Sequence, residues 1–556
     1  MRKCIGVRSL AKRYPVFLLL GHPVLNYRTT VRKVRLIIDA SEYIGMRQSL
    51  SNETRREPLY SHLFLKSYNK TINRQLGKKK LRIGSLLVLM ASGSLIPIDW
   101  PKILNLLDLT VNVAKLSWLL PIPYFMLQTI GFHLGLTDSL LIDLKSIKKR
   151  RDDLSGKRII YTITTKGENL STLEDTVDST ILWTESVKTR HRLPFNSEIW
   201  VVTEENNYVS NATFYSKLEE KGVIVVAVPS AYETESRSVF KTRALQYAAE
   251  LRRDRGLDGP TDWVYHQDTE TQIGEDTVLG NLDFILNAED STMAGSGIIL
   301  YPQGWGNDLS NVQETIRSSA DLSATGQLNA WGKVVFGYHG SHILIRGDAE
   351  ANLGWDYGRV RSEDLLFSVK LREKYGSCMK TMKGFAYEKP PLSIRDQLKQ
   401  RRRWIVGSFE VLGRREVPLR KRAPIVYSVV SWFSALPSIA ITIANIIYPT
   451  SGLIPIISGV FTGLVWWSII NGYLIGLELH REYTNVNKEI FGIIKGILKG
   501  LAVDAIAPWY ALFFKTNGYD EISKDEPSDI LEKHEADPII SLTSDDVYEF
   551  DESHNG

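Results

Sequence analysis

The chain has 556 residues, too many for one compact core, so a domain with additional segments is expected. It is 43% hydrophobic and 24% charged with a net charge of +5, an ordinary mixture on average, but the charge is segregated: basic before about residue 82 and acidic after about 520. Two cysteines, Cys4 and Cys378, exclude a disulfide framework and suggest a reducing compartment for the soluble part; no Cys/His cluster has zinc spacing, and no nucleic-acid partner is expected.

Residues 1–82 form a basic extension to which no role is assigned. Residues 83–136 hold two N-terminal transmembrane segments, a short uncharged one at 83–98 and a longer one at 117–136. Two long apolar C-terminal transmembrane helices follow at 424–448 and 453–477, within residues 424–477 and joined by a Pro-Thr-Ser-Gly turn. Basic flanks orient them: Lys78, Lys79, Lys80 and Arg82 before the first, Lys145, Lys148, Lys149, Arg150 and Arg151 after the second, and Arg414, Arg415, Arg420, Lys421 and Arg422 before the third. By the positive-inside rule these flanks are cytoplasmic, which places the domain at 152–412 on the cytoplasmic side of an integral, multi-pass membrane protein. Residues 488–515 carry Lys495, Lys499 and Asp504 within an apolar pattern, which predicts an interfacial amphipathic helix. The acidic tail, 520–556, reads as disordered.

Within 152–412, apolar runs predict strands at 158–165, 198–203, 223–228 and 263–266, separated by helical patterns at 170–188 and 238–253. This alternation predicts an α/β domain with a mostly parallel sheet covered on both faces, and in such sheets ligands bind beyond the carboxyl ends of the strands. The fourth run, Trp263-Val264-Tyr265, ends in His266-Gln267-Asp268-Thr269-Glu270. Alternation puts the Asp268 and Glu270 carboxylates on one side of an extended segment, and two hard oxygen ligands so placed suit Mg2+ or Mn2+ completed by a ligand's phosphates. Solvated acidic turns are common, so the pair gains meaning only from its context. That context is Gly340-Ser341-His342, then Ser362-Glu363-Asp364, then Gln400-Arg401-Arg402-Arg403-Trp404.

The order of a strand ending in Thr164-Thr165-x-Gly167, then Phe240-Lys241-Thr242-Arg243, Asp268-x-Glu270, Glu363-Asp364 and Gln400-x-x-Arg403-Trp404 resembles the family 2 glycosyltransferases. The run Trp263-Val264-Tyr265-His266-x-Asp268, with His339-Gly340-Ser341 and paired spans on both sides, is most similar to the egghead-like β-1,4-mannosyltransferases. The resemblance implies a GT-A fold, Rossmann-like with a mostly parallel sheet, in a cytoplasmic domain flanked by transmembrane helix pairs. It implies a nucleotide-diphosphate sugar donor, GDP-mannose or a UDP-hexose, and Asp268 and Glu270 as the metal site, with Glu in place of the usual second Asp. Thr164, Thr165, Glu204, Glu205, Lys241, Arg243 and Asp268 would bind the nucleotide donor. Asp364, next to Glu363, matches the catalytic base. Arg402 and Arg403 would meet the leaving diphosphate, with Gln400 beside them and Trp404 as a platform for an acceptor sugar. A sugar hydroxyl is a poor nucleophile and needs a carboxylate to take its proton, while the departing diphosphate needs fixed positive charge.

The expected protein is a membrane-bound inverting glycosyltransferase that moves a hexose, mannose among the candidates, to a lipid-linked or glycan acceptor beside membrane lipids. A processive polysaccharide synthase of the cellulose, hyaluronan or mannan kind is the alternative, and a non-catalytic membrane scaffold a remote one.

Overall fold

The structure, a computed structural model, describes residues 120–135, 140–302, 308–331, 339–447, 453–480, 490–514 and 522. The expectations for the extension 1–82, the segment 83–98 and almost all of the tail lie outside the described residues.

Eight strands form one sheet in the order β3-β2-β1-β4-β7-β6-β8-β5. They are β1 (Arg158–Thr164), β2 (Asn196–Glu204), β3 (Ile224–Val228), β4 (Asp262–Asp268), β5 (Thr271–Ile273), β6 (Ala294–Leu300), β7 (Ile343–Arg346) and β8 (Met379–Glu388). The first half is parallel, as expected: β1 pairs with β2 and β4, and β2 with β3. The second half is mixed, because β7 runs antiparallel to both β4 and β6, and β5 antiparallel to β8. Buried apolar runs explain the central strands: Ile159, Ile160, Tyr161 and Ile163 on β1 and Trp263, Val264 and Tyr265 on β4 are all buried, as strands covered on both faces require. β4 runs two residues further than expected, so Asp268 is itself the last residue of the strand.

Helices α1 (Ile122–Gly135), α2 (Leu170–His191), α3 (Lys241–Asp254), α4 (Glu275–Asn287), α5 (Asp308–Trp331), α6 (Glu363–Tyr375) and α7 (Ile394–Leu412) surround the sheet, with shorter helices between them. Four more follow: α8 (Leu419–Phe433), α9 (Ala435–Ile447), α10 (Leu453–Leu479) and α11 (Ile490–Phe513). Among the described residues, three stretches, Leu419–Ala440, Gly459–Leu479 and Gly492–Phe513, are long and apolar enough to cross a membrane by length and composition. The third of these was expected to lie at the interface. Two of its three charges are turned toward protein: Asp504 accepts from Arg401 Nε at 2.9 Å and Lys499 Nζ reaches Ser310 Oγ at 3.1 Å, while Lys495 is exposed. Ile494, Leu498, Ile506 and Phe513 point outward instead. An intramembrane charge is tolerated when it faces a partner inside the bundle.

Helix α5 joins the sheet to these helices. Its buried face is built from small and polar residues rather than an apolar stripe: Ser310, Thr315, Ser318, Ser319, Ser323 and Thr325 are buried. Close backbone approach replaces side-chain interlocking. A Cβ on Gly131 of α1 would overlap Ser323, one on Gly135 would overlap Leu322 O, and one on Gly476 of α10 would overlap Thr315 O. Small residues that let backbones touch are the usual basis of packing between apolar helices.

Candidate active site

The register of the parallel strands aligns their carboxyl ends. Thr164 of β1 stands opposite Asp268 of β4 and Val202 of β2. Because β7 is antiparallel to β4, the residues just before β7 return to the same edge; His342 N–H donates to His266 O at 3.0 Å. The loop His339-Gly340-Ser341 therefore lies beside Asp268. Above this edge is a cavity of about 820 Å3.

The cavity gathers most of the expected site. Thr164, Thr165, Glu204, Lys241, Asp268, Glu270, Glu363, Asp364, Gln400, Arg403 and Trp404 all line it. Thr269, between the two acidic residues, donates its hydroxyl to Thr164 O at 3.1 Å and so pins the turn that follows β4. Lys241, the first residue of α3, bonds Asp268 Oδ1, donates to Gly340 O at 3.2 Å and lies 3.6 Å from Glu363 Oε1. One ammonium thus gathers β4, the loop before β7 and the first turn of α6.

Three expected residues stand apart from the cavity wall. Arg243 pairs with Glu204 and donates to Tyr232 O at 3.1 Å, so it orients Glu204 rather than facing a ligand itself. Glu205 accepts from Ser230 N–H at 2.8 Å, which ties the ends of β2 and β3 together and lowers its pKa. Arg402 points to α11, donating to Phe514 O at 2.8 Å with its guanidinium 5.2 Å from the Tyr510 ring. Trp404, on the cavity wall, has the guanidiniums of Arg317 and Arg401 4.7 and 4.5 Å from its ring.

Sequence reasoning missed the α5 wall. Arg317 and Asp321 line the cavity. Asp321 is held by Ile299 N–H at 3.1 Å and bonds His339 Nε2. Burial alone would lower the His339 pKa, but the Asp321 carboxylate outweighs it and holds the imidazole above its usual value. Glu388, at the end of β8, accepts from Ser341 Oγ at 2.6 Å and Thr271 Oγ1 at 2.9 Å, fixing the same loop from the other side. No motif marks α5, and its polar sequence has no apolar period. By contrast His266, inside the quoted motif, is structural: it bonds Glu350 at 2.9 Å, and Glu350 also pairs with Arg252 at 2.7 Å, all three buried. Burial favours neutral Glu350, but Arg252 and His266 outweigh it and bring its pKa down to about 2.

Glu363 and Asp364 open α6, whose first turn faces the cavity. Burial raises both pKa values, that of Glu363 to about 7, and the two adjacent charges oppose each other's ionisation. For Asp364 the Leu365 N–H, at 2.8 Å, together with Lys241 and His339, offsets part of that rise. A carboxylate so tuned, in a cavity with fixed cations, can accept a proton from a bound hydroxyl.

Asp268 and Glu270 supply two carboxylates to the same wall, a hard-oxygen pair that fits Mg2+ or Mn2+ in donor type. Among the described residues no group of three or more His, Cys, Asp or Glu side chains could hold a metal ion. A cation there would need further ligands from outside the protein, which a diphosphate supplies.

The mostly parallel, helix-covered sheet is GT-A-like, with the acid-x-acid strand end and the Glu363–Asp364 carboxylate pair at its cavity. Residues 263–478 match the family model described as Glycosyl transferase family group 2. It is 32% identical over 211 residues to "Beta-1,4-mannosyltransferase bre-3" of Caenorhabditis briggsae, covering 37% of this chain and 45% of the relative. It is 26% identical over 307 residues to "Beta-1,4-mannosyltransferase egh" of Drosophila melanogaster, covering 54% and 66%. The chain thus spans between about half and two thirds of the length of these curated relatives. A solved structure, "Mannosyltransferase PcManGT from Pyrobaculum calidifontis in complex with GDP-Man and Mn2+", has 13% identity and a TM-score of 0.37, covering 63% of this chain and 97% of that one. A likeness that low assigns neither ligand nor metal to this chain.

Proposed function

We propose that this protein is an inverting hexosyltransferase, transferring mannose from GDP-mannose to a lipid-linked acceptor at the cytoplasmic membrane face. The observation that carries the reading is a single cavity that joins Asp268, Lys241, Asp364 and Arg403 to the membrane-side helices. At one end stand the strand ends with Thr164 and Glu204; at the other the walls are Tyr124 and Gln128 of α1 and Ile425, Ser428 and Trp432 of α8. The last three lie inside the Leu419–Ala440 stretch, which is long and apolar enough to cross a bilayer. An acceptor with a polar head and an apolar tail fits a site that runs from a charged edge into such helices. The two relatives named as β-1,4-mannosyltransferases favour mannose.

In this reading Thr164, Thr165 and Glu204 hold the nucleoside end, with Arg243 orienting Glu204. Lys241 and Arg403 meet the diphosphate, and Asp268 with Glu270 would hold Mg2+ or Mn2+, which when bound neutralises diphosphate charge. Asp364 takes the proton of the acceptor hydroxyl as its oxygen bonds the anomeric carbon. The bond from that carbon to the phosphate oxygen breaks and the nucleoside diphosphate leaves with the electron pair. Lys241 and Arg403 stabilise the charge that develops there, as preorganised cations in a buried site do.

The test is transfer by the detergent-solubilised protein from GDP-mannose, UDP-glucose or UDP-N-acetylglucosamine, with Mn2+ and with EDTA, followed by mass analysis of lipid extracts. A gain of one hexose on a lipid, from GDP-mannose and lost with EDTA, is expected. A long polymer would instead establish a processive synthase, and turnover of none of the donors would refute the enzymatic reading.

A further inference from the structure

The segment that carries the catalytic carboxylate is gripped from outside by the helix that carries Arg403. On α7, Arg403, Gly407 and Glu410 are spaced i, i+4 and i+7 and so share one face. Arg403 lines the cavity. Two turns on, Glu410 Oε2 accepts from Arg361 N–H at 2.8 Å, and its other oxygen pairs with the Arg361 guanidinium, a side chain only 5% exposed. Between them Gly407 meets the next residue of that segment: a Cβ there would overlap Ser362 Oγ and lie 2.8 Å from Ser362 N. Ser362 is the N-cap of α6, and Glu363 and Asp364 are the first two residues of that helix. Glu410 and Gly407 thus hold the backbone two and three residues ahead of Asp364 by one bidentate contact and one close approach.

We propose that Glu410 is a positioning residue: through Arg361, and with Gly407 as the close-fitting surface, it sets Asp364 against the acceptor hydroxyl and ties that placement to Arg403. The proposal rests on the reading of Asp364 as the base. Glu410 does not line the cavity, whereas Arg361 and Ser362 do, so it acts through residues 361–362 and does not itself touch the substrate. The helix itself is a firm support, because Ile405 is buried against Ala507 and Ala511 of α11. A base displaced by about 1 Å loses on the order of 100-fold in rate while the donor, held by other elements, still binds.

The test is steady-state kinetics of the full chain with Glu410→Ala, Glu410→Gln, Gly407→Ala and, as reference, Asp364→Asn. Glu410→Ala should lower kcat by about 10- to 100-fold while donor KM and the nucleotide-dependent thermal shift stay within about 3-fold and a few degrees of the unmodified protein. Glu410→Gln keeps an oxygen for the Arg361 N–H and should recover several-fold of that loss. Gly407→Ala should resemble Glu410→Ala, because it pushes on Ser362. The midpoint of the acid limb of the pH profile should stay in place in both Glu410 variants, since the titrating base is unchanged. A Glu410→Ala protein with normal kcat, a loss that appears in KM alone, or equal losses in the Ala and Gln variants would overturn the proposal. If Asp364→Asn retains full transfer, it is the assignment of the base that fails, a result separate from these.

Discussion

Removing Glu314 should unfasten the helix that carries Arg403 from the rest of the protein. The Glu314 carboxylate is fully buried on α5; its two oxygens accept from Arg401 Nη2 at 2.9 and 3.1 Å, and one also meets Arg317 Nη1 at 3.2 Å. Burial alone would raise its pKa, but Arg401 and Arg317 outweigh it and hold it below the ordinary value, so the group is charged. Glu314→Leu deprives the buried Arg401 and the largely buried Arg317 guanidiniums of this carboxylate, with Asp504 still paired to Arg401. Removing one member of a buried ion pair costs about 3–5 kcal/mol. At roughly 2–4 °C per kcal/mol, the midpoint of thermal unfolding should fall by about 6–20 °C. Glu314→Gln keeps an acceptor oxygen at the same place and should fall less. The assay is thermal unfolding of the solubilised full chain followed by tryptophan fluorescence, with Trp404, between Arg317 and Arg401, as a local reporter. A fall below about 2 °C, equivalent to under about 1 kcal/mol, would refute the view that this network fastens α7. So would equal losses for Leu and Gln.

Lys241→Met should weaken donor binding and turnover together, because the ammonium now bonding Asp268 and lying near Glu363 also faces the cavity; unchanged nucleotide affinity by calorimetry would contradict that role. The pH profile of kcat/KM should show an acid limb whose midpoint lies above the usual carboxylate value of about 4, since burial raises Asp364 and the base works only when deprotonated. Activity is then lost as pH falls through that raised value, and a flat profile down to pH of about 4 would count against it. Gly280→Ala should destabilise the domain by about 1–3 kcal/mol, the cost of overpacking, because the added Cβ would overlap the Lys383 carbonyl; an unaltered melting temperature would be inconsistent with this packing.

The parallel half of the sheet was legible because its strands are short, apolar and bounded by breaks in pattern. Asp268 could be placed at a strand end from the abrupt change after Tyr265, and the structure extends β4 to it. What did not show was the antiparallel β7: pairing direction is set by tertiary connection, and nothing local in Ile343–Arg346 encodes it. Helix α5 was invisible for a different reason. Its buried face is mostly Ser, Thr, Asn, Gln, Asp and Glu, with Leu322 and Leu328 as isolated apolar residues, so apolar periodicity carries little signal for it. Arg317 and Asp321 were missed with it. Arg402 and Arg403, adjacent in sequence, were assigned together, yet neighbouring helical residues point about 100° apart and the structure sends one to Phe514 and the other to the cavity. In 488–515, Asp504 and Lys499 have partners on α7 and α5 that the sequence did not show, while Lys495 is exposed.

The most direct test of the central claim compares Asp364→Asn with the unmodified protein in transfer of labelled mannose from GDP-mannose into membrane lipid extract, with donor binding measured in parallel. The account predicts that the variant binds nucleotide within a few-fold of normal but transfers at least about 100-fold more slowly, as expected when a general base is removed. Transfer at the normal rate by a folded Asp364→Asn protein would contradict it.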